Sequence, residues 1–260
     1  MVGMSIVEIN IEGDIAPEAA EAARRRLASL QQYTDLPFMG GRLTLRHVRQ
    51  GSTRLPYVAD ARVTFDGRHM AAHTAGRTPE EAVVQAEERL RRRLRDLVGA
   101  DIALRNEPRS IQRALEDLQP DRDYRPEARL KPPEERQVVR RRTYADDAAS
   151  TYEAIADMLD LDEEFHLFRH VRTGEDVVVY RRDDGRIGLI HPPGSVLADE
   201  SDDVVLAEPS RYSEPLTLDQ ARAEMDVVNH RFLYYIDPAD DRGRVLYLRH
   251  DGDYGLVEPA

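Results

Sequence analysis

The sequence contains the stretch Tyr180-Arg181-Arg182-Asp183-Asp184-Gly185-Arg186-Ile187-Gly188-Leu189. A similar stretch begins 67 positions later, Tyr247-Leu248-Arg249-His250-Asp251-Gly252-Asp253-Tyr254-Gly255-Leu256. In both stretches an Asp-Gly pair separates two extended runs, which is a β-hairpin signal because the turn needs positive φ. The register holds without a gap between residues 154–192 and 221–259, where twelve of 39 positions are identical. The sequence therefore contains two copies of one small module.

Working outward from the hairpins gives the secondary structure of each copy. Val138-Val139 and Val205-Leu206 keep the same offset and predict an opening strand. A short helix follows over Thr151 to Leu161 in the first copy and Leu218 to Val228 in the second, and three strands follow each helix. We therefore predict two β-α-β-β-β modules, called copy 1 (residues 138–193) and copy 2 (residues 204–260).

Modules of this size bury little of their own apolar surface, so pairing with another copy would stabilise them. Their strands are rich in valine, tyrosine and phenylalanine. We predict that eight of these side chains form a pairing interface, while the alternative is that each fills the core of its own module: Phe165, Phe168, Val178, Tyr180, Phe232, Tyr235, Val245 and Tyr247.

Residues 1–99 predict a different domain. Alternating apolar residues indicate strands at Ser5 to Glu12, Arg42 to Val48, Tyr57 to Phe65 and Arg68 to Ala75. Pro17 begins one predicted helix, and Thr78-Pro79-Glu80-Glu81 has the cap, proline and glutamate of a second helix start. The order β-α-β-β-β-α predicts an α+β domain with helices on one face of a four-stranded sheet.

Arginines cluster in this first domain although the whole chain carries a formal charge of -12. Residues 1–99 contribute +2 and the remainder -14. Local positive surface is what RNA phosphates require, so an RNA-binding face is predicted, against the alternative of solvated helix faces matched to the helix dipole. Its candidate residues are Arg26, Arg46, Arg49, Arg89, Arg91, Arg92, Arg93 and Arg95.

Residues 100–137 are charged and contain five prolines, which is typical of a linker. Ser110 to Leu118 has the spacing of a short amphipathic helix. Such a helix could dock on a partner surface or form transiently within a tether.

Several classes of function lack sequence support. The chain has no cysteine, and it shows no phosphate loop, nucleophile elbow or HExxH motif, so no catalytic residues and no cofactor are predicted. His69 with His73, and His166 with His170, would lie roughly 13 Å apart along a strand, too far for one metal ion, so no metal site is predicted. The absence of a long apolar run predicts no membrane partner and a cytoplasmic location.

The chain resembles the ribosome hibernation-promoting factors and the ribosome-associated inhibitor of the cold-shock response. In the first domain the resemblance lies in Ile15-Ala16-Pro17, Arg26-Leu27-Ala28-Ser29-Leu30, Val58-Ala59-Asp60-Ala61 and Arg89-Leu90-Arg91-Arg92-Arg93-Leu94. In the tail it lies in the two hairpin stretches, in His230-Arg231-Phe232 and in Val139-Arg140-Arg141-Arg142, which resemble the C-terminal domain of the long-form factors.

This resemblance implies a ribosome hibernation factor that binds the small ribosomal subunit in the mRNA and tRNA path and silences translation under stress, without catalysis. The family's tail domain homodimerises and joins two ribosomes, but it usually occurs once per chain. Two tethered copies meet at up to millimolar effective concentration, so we predict pairing in cis, with a homodimer as the alternative. A rival interpretation is an RNA-binding adaptor whose tail recruits a protein partner.

Overall fold

The computed structural model describes residues 7–48, 54–99, 108–118, 131–144, 148–228, 231–249 and 251–260. The chain divides into two compact units. The first comprises residues 1–105, 117–127 and 159–162, and the second comprises residues 106–116, 128–158 and 163–260. Among the described residues no helix is both long enough and apolar enough to span a bilayer.

The first unit is a four-stranded sheet with two helices, in the predicted order. Its elements are β1 (Val7–Glu12), α1 (Pro17–Ser29), β2 (Phe38–His47), β3 (Tyr57–Phe65), β4 (Arg68–Gly76) and α2 (Pro79–Gly99). The strand order is β1-β2-β3-β4, with β1 parallel to β2 and the other pairs antiparallel. The predicted β-α-β-β-β-α fold is confirmed.

One core holds this unit together, because both helices pack on the same face of the sheet. Leu43 and Leu45 of β2 cluster with alternate residues of β3 and with the apolar stripes of both helices. The stripe of α2 contains Val83, Ala86, Leu90 and Leu94, as its spacing predicts. The face that bears the arginines therefore lies away from this core or at its border.

The start of α2 is fixed by two side-chain hydrogen bonds that resemble a capping box. The backbone N–H of Glu81 donates to Thr78 Oγ1 at 3.1 Å, and Glu81 Oε2 accepts from the backbone N–H of Arg77 at 2.7 Å. Pro79 occupies the first turn, where its missing N–H costs nothing. These local contacts explain why the sequence predicted this boundary correctly.

The second unit contains both copies apart from residues 159–162. Its helices are α4 (Thr151–Asp160) and α5 (Leu218–Val228), and α3 (Pro108–Leu118) precedes them within the predicted linker. Its strands are β5 (Val138–Tyr144), β6 (Ala148–Ala149), β7 (Phe165–His170), β8 (Asp176–Arg181), β9 (Ile187–His191), β10 (Val205–Pro209), β11 (Phe232–Asp237), β12 (Arg242–Leu248) and β13 (Tyr254–Pro259).

The two sheets of this unit exchange their opening strands. The sheet of copy 1 has the order β10-β9-β8-β7-β6, so it includes β10, which opens copy 2. The sheet of copy 2 has the order β11-β12-β13-β5, so it includes β5, which opens copy 1. Both exchanged strands run parallel to their new neighbours, and they begin at equivalent pairs: Val205 with Ile187, and Val138 with Tyr254. A bulge between Tyr254 and Gly255 then shifts the register of β5 by one residue.

This exchange corrects the simplest picture of two self-contained copies. The opening strands exist where the repeat predicted them, but each completes the sheet of the other copy. A parallel neighbour needs a crossover of about a dozen residues, and the connection 192–204 between β9 and β10 meets that need. Copy 1 and copy 2 are therefore repeats in sequence, but neither copy forms a complete sheet from its own strands alone.

Candidate functional site

Two of the predicted RNA-binding arginines lie buried along the outer edge of β4. Arg89 Nη1 donates to the carbonyl of His73 at 2.7 Å and to Asp162 Oδ2 at 2.8 Å. Arg93 donates to the carbonyl of Ala71 and, through Nη2, to Asp162 Oδ1 at 2.7 Å. Asp162 also accepts from the backbone N–H of His73 at 2.8 Å. These groups satisfy the open edge of the sheet within the first unit.

Burial limits what these two arginines can contact in this conformation. The side chains of Arg89, Arg93 and Asp162 are 1%, 8% and 0% exposed. A guanidinium that already pairs with a buried carboxylate would have to break that pair before it could bind a phosphate. Their predicted RNA contact stays a prediction, and the structure gives them a second role in closing the edge of β4.

The other predicted arginines are more accessible. Arg26 pairs with Glu87 at 2.5 Å, and Arg46 pairs with Glu12 at 2.5 Å. The guanidinium of Arg91 lies 5.5 Å from the centre of the Tyr33 ring. Arg92 is half-buried and Arg95 is exposed, whereas Arg49 lies outside the described residues. Helix α2 thus presents Arg91, Arg92 and Arg95 near its last described turns.

The histidines considered as metal ligands have other partners. His73 Nδ1 contacts Asp60, and His69 Nδ1 contacts Thr64 Oγ1 at 3.0 Å. His166 Nδ1 contacts Glu163 at 3.1 Å. Burial lowers the pKa of His170, which keeps its imidazole neutral beside Thr151.

Side chains of copy 1 and copy 2 form a single apolar cluster. It contains Leu167, Val178, Tyr234, Val245 and Val257, with Tyr144, Phe165, Tyr180, Ile190, Phe232, Ile236 and Tyr247 packed against it. The contacts are related by the repeat: Phe165 lies 5.4 Å from Tyr247, and Phe232 lies 5.4 Å from Tyr180, as distances between ring centres. A pseudo-two-fold axis therefore relates the two copies in this cluster.

Six of the eight residues predicted to form a pairing interface lie in this cluster, and Phe168 and Tyr235 do not. Tyr235 belongs to the core of copy 2 with Met225 and Leu246, and Phe168 contacts the rings of its own neighbours His166 and His170. Strand side chains alternate between faces, so these two point away from Phe165 and Phe232. That part of the prediction is corrected.

Sequence reasoning missed six residues of this cluster: Tyr144, Ile190, Ile236, Val257 and the equivalent pair Leu167 and Tyr234. The signal was available, because period-2 alternation from Phe165 and Phe232 selects Leu167 and Tyr234. The prediction instead chose the next residue along each strand, Phe168 and Tyr235, whose side chains lie on the opposite face.

The hairpin motif also has a packing function. A Cβ atom on Gly188 would lie 1.9 Å from the ring of Tyr180, and one on Gly255 would lie 2.2 Å from the ring of Tyr247. Each tyrosine therefore lies flat across the glycine on the neighbouring strand. The Tyr180 hydroxyl donates to Glu208 on the exchanged strand β10, and burial raises the pKa of Tyr180 to about 12.

A buried carboxylate joins the copies next to the cluster. Asp176 Oδ2 accepts from Arg242 Nε at 2.7 Å and from the backbone N–H of Gly243 at 2.8 Å. The Tyr144 hydroxyl also donates to this carboxylate, and the Tyr234 hydroxyl donates to the Asp176 carbonyl at 2.7 Å. Burial raises the pKa of both tyrosines, so they remain neutral donors.

Comparison with known proteins matches the tail twice. Residues 133–189 and 200–256 both match the family model "Sigma 54 modulation/S30EA ribosomal protein C terminus". Among solved structures, the N-terminal domain of protein Y from Thermus thermophilus is 18% identical and covers 36% of this chain and 99% of its own, with a TM-score of 0.30. A ribosomal subunit interface protein from Coxiella burnetii is 14% identical over 36% of this chain and 99% of its own, with a TM-score of 0.29.

Two relatives come from Mycobacterium tuberculosis. A "Dormancy associated translation inhibitor" is 37% identical over 147 residues, which are 52% of this chain and 52% of the relative. A "Ribosome hibernation promotion factor" is 36% identical over 64 residues, 22% of this chain and 29% of the relative. The chain thus spans about half the length, or less, of these relatives. The tail therefore contains the C-terminal domain of that family model twice, and the chain is similar to proteins named as a translation inhibitor and as a hibernation promotion factor.

Proposed function

We propose that this protein is a cytoplasmic ribosome hibernation factor that inhibits translation by occupying the mRNA and tRNA path of the small subunit. Its relatives are named as a translation inhibitor and as a hibernation promotion factor. The proposal needs no catalysis, because a folded domain in that path excludes initiation.

The contact with ribosomal RNA is assigned to the accessible arginines of the first unit. Arg91, Arg92 and Arg95 lie on the last described turns of α2, and Arg26 and Arg46 lie on α1 and β2. Arg26 and Arg46 are paired with glutamates that phosphates can replace. Arg89 and Arg93 are left out of this surface because they are buried against Asp162.

We further propose that the two copies pair with each other, so that one chain silences one ribosome without joining it to a second. The single observation that carries this proposal is the reciprocal exchange of β5 and β10. Each exchanged strand occupies one edge of the other copy's sheet, and side chains of both copies share the apolar cluster around Phe165 and Phe232. A second chain would have to displace contacts that are already made at high effective concentration.

The ribosome contact is tested by co-sedimentation with purified small subunits over a range of salt concentrations. We expect the variant with Arg91, Arg92 and Arg95 changed to Glu to lose most binding. The slope of log affinity against log salt should shrink by about two, since each phosphate contact contributes about 0.7–0.9.

A matched control carries the same change in charge at exposed arginines elsewhere: Arg109, Arg113 and Arg211. This control should bind like the wild type. If both triple variants lost the same amount of binding to small subunits, net charge alone would explain the loss, and the assigned surface would be rejected. Binding that persists in the first variant would reject the RNA face itself.

A further inference from the structure

Some positions of copy 1 contact their own equivalents in copy 2. Phe165 stacks on Phe232 with ring centres 5.0 Å apart, and Arg231 Nη1 lies 2.6 Å from Glu164 Oε1. A Cβ atom on Gly243 would lie 2.6 Å from the Cβ of Asp176, the equivalent position. In a two-fold pairing only residues at the axis meet their own equivalents. These contacts therefore mark the pseudo-two-fold axis.

The residues around the axis differ in charge between the copies. Copy 1 carries Glu164, Glu175 and Asp176, and copy 2 carries Arg231, Arg242 and Gly243 at the same positions. We call these six the axial residues. The charged contacts among the axial residues join acids of copy 1 to donors of copy 2: Glu164 contacts Arg231, and Asp176 contacts Arg242 and the Gly243 amide.

The two ion pairs contribute unequally. Arg231 is 74% and Glu164 38% exposed, so solvent screens most of their attraction. Asp176 is only 3% exposed, and its carboxylate accepts from Arg242, Gly243 and Tyr144 together. The buried Asp176 contact is therefore the principal source of any selectivity.

Pairing of like copies would lose these contacts and introduce repulsion. Two copies of the copy 1 type would bring Asp176 against a second Asp176, with no guanidinium nearby and no room for two side chains where Gly243 now lies. Two copies of the copy 2 type would bring two arginines together and leave Arg242 without its buried carboxylate. Burying like charges against each other is strongly unfavourable, so like pairing is disfavoured.

We infer that the axial residues are a specificity device that makes copy 1 pair only with a copy 2 surface. The inference rests on the proposed pairing of the two copies and extends it. Because the two copies differ in charge at the axis, the pairing surface of copy 1 fits copy 2 better than a second copy 1. The short connection 192–204 keeps copy 2 of the same chain close to copy 1, so copy 2 of the same chain is the partner that binds.

The test uses two complementary full-length variants. The acidic variant gives copy 2 the axial residues of copy 1: Arg231→Glu, Arg242→Glu and Gly243→Asp. The basic variant gives copy 1 the axial residues of copy 2: Glu164→Arg, Glu175→Arg and Asp176→Gly. A third variant combines all six changes, so the charges are exchanged between copies while unlike pairing is retained.

We expect each triple variant alone to lose amide-exchange protection in β8 and β12, by at least about tenfold relative to wild type. Mixed in equal amounts, the two should form a complex of twice the monomer mass by light scattering and regain protection. The six-change variant should remain monomeric and protected. Triple variants that stay monomeric and fully protected would overturn the inference, as would a mixture that does not associate or a six-change variant that stays unprotected.

Failure of the proposed function has a different signature. A wild-type chain that forms a stable dimer, and whose dimer dissociates on truncation of the tail, would reject pairing in cis. The mixing experiment would still report selectivity in that case, because the wild-type mass and the behaviour of the complementary pair are separate measurements.

Discussion

Asp162 changes what the arginine run of α2 can do, because it pairs with two of those arginines. The arginine run of α2 predicts a uniform basic face, yet Arg89 and Arg93 are buried because Asp162 pairs with both. Asp162 has a φ of 53°, a left-handed conformation that aspartate and asparagine tolerate better than most residues. The partner lies about 70 positions away in the chain, so no local pattern could have indicated it.

Asp162→Asn should destabilise the first unit by about 3 kcal/mol, since asparagine keeps the backbone conformation but leaves two buried guanidinium groups without a carboxylate. Amide exchange at His73, together with denaturant unfolding, measures this loss. Asp35→Asn, at an exposed position of the first unit, is the control and should change stability by less than about 0.5 kcal/mol. Equal stability of Asp162→Asn and wild type would show that the pair contributes nothing.

Among the secondary-structure elements, the sequence predicted where strands and helices lie but not which strands pair. The bounds of β3 and α5 agree with the prediction, because turn residues and apolar spacing act locally. The same alternation in β5 and β10 is compatible with either sheet, so their exchange could not be read from periodicity. Likewise, strand alternation places the side chains of Phe168 and Tyr235 on the sheet face opposite to Phe165 and Phe232. The aromatic character of a residue does not reveal which face it occupies.

The tyrosine–glycine contact across each hairpin predicts a steric effect. Gly188→Ala should lower stability by about 1–3 kcal/mol, because the new methyl group would overlap the ring of Tyr180. Denaturant unfolding of the full chain measures the change. In a Tyr180→Leu background the same substitution should cost much less, and an equal cost in both backgrounds would contradict ring overlap as the cause.

The proposed cis pairing determines whether ribosomes that carry the whole protein sediment singly or as pairs. Ribosomes saturated with the wild-type protein should sediment as single particles on sucrose gradients, with one chain per small subunit. The reason is that both pairing surfaces are already occupied within one chain. A stoichiometric peak of ribosome pairs would contradict the proposal.

The strand exchange has a further consequence during synthesis. Val138 of β5 pairs with Tyr254 of β13, about 116 positions later in the chain. At about 5–20 residues per second, β5 is made on the order of ten seconds before its partner exists. Copy 1 and copy 2 must therefore complete their sheets together, once β13 has been made. A chain interrupted between the copies would leave an open strand edge and no complete copy 2 sheet.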